Sequence, residues 1–194
     1  MLILVRHGRT AANAAGLLQG RVDNPLDEVG VAQAEALGRV IGGGEVVVAS
    51  PLLRARQTAE AIAAGAPVEL DERFLELDYG AFDGVPTREV PAEVWDRWRR
   101  DPSFAPPGGE TLEQLQRRVN SGLDAWAERA VAADVVVVTH VSPIKAAFSW
   151  ALGLGPELSW RTFVAPASIT RIAIGPRGPV LHSFNETPAA SAAV

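Results

Sequence analysis

Val135-Val136-Val137-Val138-Thr139-His140 is the stretch that decides the fold. Four successive valines are stiff at χ1 and suit a pleated, packed surface. With no polar residue at alternate positions, the run predicts a strand covered on both faces, the habit of parallel sheets. Ser142-Pro143 follows and starts a helix to about Leu152, with Ser142 as its cap.

Working outward, strand and helix keep alternating. Leu2 to Arg6 is a short apolar strand. Asp27 to Ile41 is helical, with Asp27 as N-cap and Gly42-Gly43-Gly44 as the stop. Val46 to Ala49 is a second buried strand, and Ser50-Pro51 opens a helix to about Ala64. Val68 to Leu70 is a short strand, and Glu72 to Pro91 reads as loop with extended pieces. Ala92 to Arg100 is helical, and Phe104 to Gly109 is a Pro/Gly loop. Thr111 with Gln114 forms a capping box for a helix to about Ala133. Ser168 to Ile174 and Val180 to Phe184 are strands joined by Gly-Pro-Arg-Gly. The expected class is α/β, a three-layer sandwich with a mostly parallel central sheet and helices on both faces. Residues 1–186 are expected to form one domain, with 80–110 as a lid and specificity segment and 187–194 as a frayed tail.

Composition narrows the function. The chain has 194 residues, no Cys, three His and a formal net charge of -5. Without Cys there is no disulfide, zinc-thiolate site or cysteine nucleophile. The acidic balance argues against nucleic acid, which wants a basic face. No apolar run approaches the roughly 20 residues of a membrane span, so the expected location is cytoplasmic. The basic residues are 17 Arg and one Lys, Lys145.

Ligands of such sheets bind beyond the carboxyl ends of the strands. Two of the three histidines, His7 and His140, directly follow apolar strands. Beside His7, Arg6 offers a planar fork of donors suited to phosphate. The imidazole can attack phosphorus. Gly8 lets backbone approach a ligand, and Thr10 and Asn13 add neutral donors. Arg54, about one turn into the helix after the second strand, reaches the same edge.

Several blocks now stand in order: Arg6-His7-Gly8 with Thr10 and Asn13, Ser50-Pro51-Leu52 through Arg54 to Gln57-Thr58-Ala59, Glu76-Leu77-Asp78-Tyr79-Gly80, Pro107-Gly108-Gly109-Glu110, and His140. This ordered set resembles the histidine phosphatase superfamily, its phosphoglycerate-mutase-like branch. The resemblance implies that His7 is the nucleophile and becomes a phosphohistidine. It implies that Arg6, Arg54 and His140 hold the phosphoryl group, with Asn13 nearby, and that Glu76 gives the leaving oxygen its proton. Gln19-Gly20-Arg21 falls where the family meets substrate beyond the phosphate. One departure stands out: Val141 occupies the place where the family has Gly, which leaves a backbone N–H for phosphate but narrows the pocket.

The physical reading agrees with that assignment. Phosphoryl transfer asks a protein mainly for positioning and charge neutralisation. Two arginines and a protonated His140 would offset a phosphate dianion, so neither metal nor cofactor is expected. The same charges would keep His7 neutral. Asp78 is the rival acid to Glu76. Arg9 is expected at the entrance or on a carboxylate, Arg56 in solvent, and His182 in a structural place. Trp95 and Trp98 would pack a lid, and Arg97, Arg99 and Arg100 either face solvent or attract a second anion.

The expected activity is a phosphomonoesterase acting on small phosphorylated metabolites. A phosphomutase and a non-catalytic phospholigand-binding module are the alternatives. The partner is a small metabolite rather than nucleic acid or membrane, and a homodimer is left open beside a monomer.

Overall fold

The structure is a computed structural model and describes residues 1–42 and 46–188. Its strands are β1 (Leu2–Arg6), β2 (Val46–Ala49), β3 (Val68–Leu70), β4 (Val135–Thr139), β5 (Ile169–Gly175) and β6 (Gly178–Glu186). They form a six-stranded sheet in the order β3-β2-β4-β1-β5-β6. β3, β2, β4 and β1 are parallel, whereas β5 and β6 add antiparallel at one edge. The sheet is thus mostly parallel, as expected from the apolar runs.

The helices are α1 (Ala11–Ala14), α2 (Glu28–Ile41), α3 (Leu53–Ala63), α4 (Ala92–Arg100), α5 (Leu112–Ala130) and α6 (Val141–Leu152). Successive strand residues point to opposite faces. Ile3, Val5, Val47 and Val138 join Leu37 of α2 and Ala55, Ala59 and Ile62 of α3. Leu2, Leu4, Val48 and Val137 join Leu115, Val119 and Leu123 of α5 and Ile144 of α6. Both faces are therefore covered, and the three layers follow from the period of two. Truncating a fully buried core leucine such as Leu4 or Leu123 to Ala would cost about 2–5 kcal/mol.

Helix ends are partly as predicted. Asp27 caps α2 by accepting from the Gly30 N–H at 2.8 Å, and Gly42 closes it in the left-handed conformation. Gly43 and Gly44 lie outside the described residues, as do 189–194 of the expected tail. The Thr111–Gln114 capping box is present, although α5 stops at Ala130. Two expected caps are corrected. Leu52, without a side-chain bond, stands at the cap of α3, and His140 stands at the cap of α6. Ser50 Oγ turns to His140 Nε2 at 2.7 Å, and Ser142 Oγ lies 3.5 Å from the Tyr79 hydroxyl. Glu72 to Pro91 holds three short 3-10 turns rather than extended pieces, and α1 and the 3-10 segment Pro156–Arg161 were not predicted.

The register positions the site. Arg6 pairs with Thr139, and Ala49 with Val138, so β1, β4 and β2 end side by side. His7, His140 and Ser50 are the residues that follow these three neighbouring ends. Among the described residues, no helix is long and apolar enough to cross a membrane.

Candidate active site

His7 continues the line of β1. Its N–H donates to the Thr139 carbonyl at 3.0 Å, and its carbonyl accepts from Ala167 at 3.2 Å. Nδ1 lies 2.7 Å from the Gly8 carbonyl oxygen, which can only accept. Nδ1 therefore carries the proton, and Nε2 keeps its lone pair. The Arg54 Nε–H points at that Nε2 from 3.3 Å. Burial first, then Arg54 and Arg6, push the His7 pKa well below the usual imidazole range. The ring is neutral as predicted, but desolvation is the larger cause.

Gly8 serves a different end from the one predicted. A Cβ there would run into the Gly30 carbonyl, so its bareness lets the loop sit on α2 rather than on a ligand. Its N–H donates to Thr58 Oγ1 at 3.1 Å.

His140 is fully buried, and its ring centre lies 5.1 Å from that of His7. Its Nε2 is 2.7 Å from Ser50 Oγ. That oxygen already accepts the Leu52 N–H at 3.4 Å, and Nε2 is the acceptor within reach of its hydroxyl proton among the described residues. Its Nδ1 is buried without a partner among the described residues. Burial, then Arg54, His7 and Arg6, hold the His140 pKa well below the imidazole range. Without a phosphate beside it, burial and the neighbouring arginines oppose the positive charge expected on His140.

Glu76 is 4% exposed and stands at the N-terminus of α6. Its carboxylate accepts from Leu77 at 2.7 Å, Val141 at 3.1 Å and Ser142 at 3.2 Å. The Val141 N–H expected to face phosphate is therefore held by Glu76. Arg118 fixes the backbone of this segment. It donates to the carbonyls of Arg73, Leu75 and Glu76 at 2.8, 2.6 and 3.0 Å, and its fork grips Glu110 at 2.7 and 2.8 Å. Asp78 instead accepts the Gly80 N–H at 2.9 Å and does not line the cavity in front of His7.

That cavity measures about 160 Å³ and is lined by Arg6, His7, Asn13, Gln19, Glu76 and Val141, among others. Arg6 gives Nη1 to the Val164 carbonyl at 2.7 Å, but its Nε is buried without a partner among the described residues. Burial pushes its pKa down to about 10, with Glu76 opposing, so the charge persists at neutral pH. Arg54 is fully buried and, like His140, does not line that cavity; it holds the loop, donating to the carbonyls of Gly20 and Val22 at 2.9 Å each. Asn13 Oδ1 accepts the Thr10 N–H at 3.1 Å, which leaves its NH₂ donors for the cavity. Gln19 Nε2 is likewise buried and unmatched among the described residues.

Two predicted contacts act from behind. Thr10 is fully buried and caps α1, its hydroxyl also 2.8 Å from Gln19 Oε1. Gly20 gives its N–H to Asp83 at 2.7 Å and its carbonyl to Arg54. Both support the wall without forming it. Arg9 pairs with Asp27 at 2.8 Å, as expected of it. Arg56 is half-buried rather than solvated, and His182 is exposed on β6. Trp98, only 1% exposed, stacks on Trp95 and anchors α4. Arg118 and Lys145 are site neighbours that motif reading passed over; Ser50 stands in the Ser50-Pro51-Leu52 block as a helix cap, and only the strand order brings it to His140.

The family model of the histidine phosphatase superfamily (branch 1) matches residues 2–187. The bifunctional protein Rv2228c of Mycobacterium tuberculosis is 37% identical over 177 residues, 87% of this chain and 49% of its own length. The chain thus spans about half the length of the first curated relatives it matches. Phosphoserine phosphatase of Entamoeba histolytica, solved with 3-phosphoglyceric acid, superposes with a TM-score of 0.89 at 28% identity, covering 96% of each chain. Mycobacterial glucosyl-3-phosphoglycerate phosphatase gives 0.86 at 28% identity over 96% of this chain and 98% of its own. With a family-model match over residues 2–187 and the same overall fold as these solved phosphatases, the chain belongs to the histidine phosphatase superfamily.

Proposed function

We propose that the protein is a phosphomonoesterase that hydrolyses small phosphorylated metabolites through a phosphohistidine on His7. One observation carries the reading. Nδ1–H of His7 is spent on the Gly8 carbonyl, so the lone pair lies on Nε2, and His7 lines a cavity whose open donors suit phosphate oxygens. In the first step Nε2 attacks phosphorus, the P–O bond to the alcohol breaks, and Glu76 gives the leaving oxygen its proton. In the second, water attacks the phosphohistidine, Glu76 takes a proton from it, and the N–P bond breaks to release phosphate. Arg6, Arg54, His140 and the amides of Asn13 and Gln19 would spread the charge of the transferring group. No step calls for a metal or cofactor, and the partner is a small anion rather than nucleic acid or membrane.

The solved relatives are named for phosphoserine and glucosyl-3-phosphoglycerate, so carboxylated phosphate esters belong first in a substrate screen. The test compares phosphate release by the native protein and His7→Ala, with and without chelator. Loss of release in His7→Ala, insensitivity to chelator and an acid-labile phosphoenzyme are expected. Full activity in His7→Ala would refute the mechanism, loss on chelation would refute its metal independence, and isomerisation without phosphate release would make the protein a mutase.

A further inference from the structure

Arg118 sits about two turns into α5 and does not line the cavity in front of His7. A guanidinium has five N–H donors, and here all five are spent. Nε–H and one Nη2–H go to Glu110, and the other Nη2–H goes to the Glu76 carbonyl. Nη1 gives its two to the carbonyls of Arg73 and Leu75. A fork with no donor left has nothing to offer a substrate. We propose that the Arg118–Glu110 pair is a positioning device for the Glu76 acid, setting where its carboxyl meets the leaving oxygen. The proposal rests on the phosphatase reading above and adds to it the residues that aim its acid.

Residues 75–79 belong to no helix or strand, so no regular ladder holds the backbone that carries Glu76. Side chains hold it instead. Arg118 takes the carbonyls of Arg73, Leu75 and Glu76, and the Thr139 hydroxyl takes that of Phe74 at 2.6 Å. On the other side of Glu76, the Glu110 N–H donates to the Asp78 carbonyl at 2.9 Å, and the Glu110 carboxylate lies 3.5 Å from the Asp78 N–H. The fork rests on a fixed support, because Leu115, Val119 and Leu123 bury the same helix in the core. Glu76 is thus held by its backbone from α5 and by its carboxylate from the first amides of α6.

Stability alone is a poor reason for such a pair. A mostly buried ion pair is a weak stabiliser, and apolar residues of the same volume often do as well. They cannot reach three carbonyls and a carboxylate in one rigid fork, which arginine can. What the fork controls is a distance. Proton transfer needs heavy atoms about 2.6–3.2 Å apart, and a displacement of about 1 Å can cost roughly 10²-fold. The carbonyl bonds of Arg118 guard a separation on which the rate depends steeply.

The test compares two esters in one preparation: glycerol 3-phosphate, whose alkoxide needs a proton to leave, and p-nitrophenyl phosphate, whose oxygen leaves without one. Arg118→Met is expected to lower kcat on glycerol 3-phosphate at least tenfold more than on p-nitrophenyl phosphate, with each KM within a few-fold. An unfolded fraction lowers both rates alike and cannot imitate that split. Equal losses on the two esters, or none, overturn the proposal. Added to Glu76→Gln, Arg118→Met is expected to bring no further ester-specific loss, because both act through one carboxyl; a full further loss overturns it. Should Arg118→Met not fold, Glu110→Gln, which keeps the shape and weakens the grip, is expected to show the same split in smaller measure, and its absence there overturns the proposal. Hydrogen exchange reads the clamp without turnover. The amides of Leu77 and Asp78 are expected to exchange at least tenfold faster in the variant that folds, with those of β4 unchanged. Unchanged exchange at Leu77 and Asp78, or faster exchange in β4 as well, overturns the clamp. The expected exchange in a protein that releases no phosphate would uphold the clamp and sink only the phosphatase reading.

Discussion

Oγ of Ser50 and Nε2 of His140, at the ends of neighbouring parallel strands, lie 2.7 Å apart and are buried. The contact holds the His140 ring against the end of β2. Partners of this kind behind metal-bound histidines are worth roughly 10–100-fold. Ser50→Ala is therefore expected to lower kcat by about that factor with KM within a few-fold. Steady-state kinetics across pH check it; an unchanged kcat and pH profile would leave Ser50 a packing residue.

Glu76 and Asp78 separate by leaving group. Proton donation is worth about 10²–10⁴-fold when the departing oxygen is basic. Glu76→Gln should cost that much on alkyl phosphates and much less on p-nitrophenyl phosphate, whose oxygen leaves unprotonated. Asp78→Asn should stay within a few-fold, because Asp78 serves the Gly80 N–H and does not line the cavity. Equal losses on both esters in Glu76→Gln would count against its acid role.

Asn13→Asp tests the donors of the cavity with little change of shape. An aspartate can still accept the Thr10 N–H, so α1 keeps its cap. The NH₂ donors are replaced by a negative charge facing the phosphate. KM should rise at least tenfold with Tm nearly unchanged, as read by kinetics and thermal melting; an unchanged KM would place Asn13 outside the substrate's reach.

Stability should fall on the acid side. The pKa values of His7 and His140 are pushed well below the imidazole range in the folded protein, chiefly by burial. In the unfolded chain they return to about 6.5. Below that pH the unfolded state binds more protons than the folded one, so stability rises with pH through this window. The contribution is complete above about pH 6.5 and is lost progressively as pH falls from there toward the depressed folded values. Tm measured from pH 7.5 to 5 should drop, and His140→Gln should flatten the slope. A slope unaltered by His140→Gln would point to other groups.

Much of this was legible in the sequence because apolar strands and glycine or carboxylate caps are local signals. The runs ending at Arg6, Ala49 and Thr139 give the sheet, and the order of the motifs gives the site around His7, Arg54, Glu76 and His140. What was hidden depends on strand order. Ser50 reads as a helix cap because Pro51 follows it, and only the placement of β2 beside β4 brings it to His140. Thr10 reads as a ligand donor, yet the turn into α1 points its hydroxyl at Asn13 and Gln19. Arg118 stands outside the motifs, and its meaning comes from the carbonyls of Arg73, Leu75 and Glu76 folding against α5.

The pairing of β1 with β4 has a consequence for hydrogen exchange. His7 and His140 follow the ends of adjacent central strands, so parting them means tearing the middle of the sheet. α4 is attached mainly through its tryptophans and can lift without that cost. Amides of β1 and β4 should exchange with solvent only through global unfolding, and those of α4 through cheaper local opening. Ligands would then come and go past a doorway that loosens while the reacting pair stays assembled.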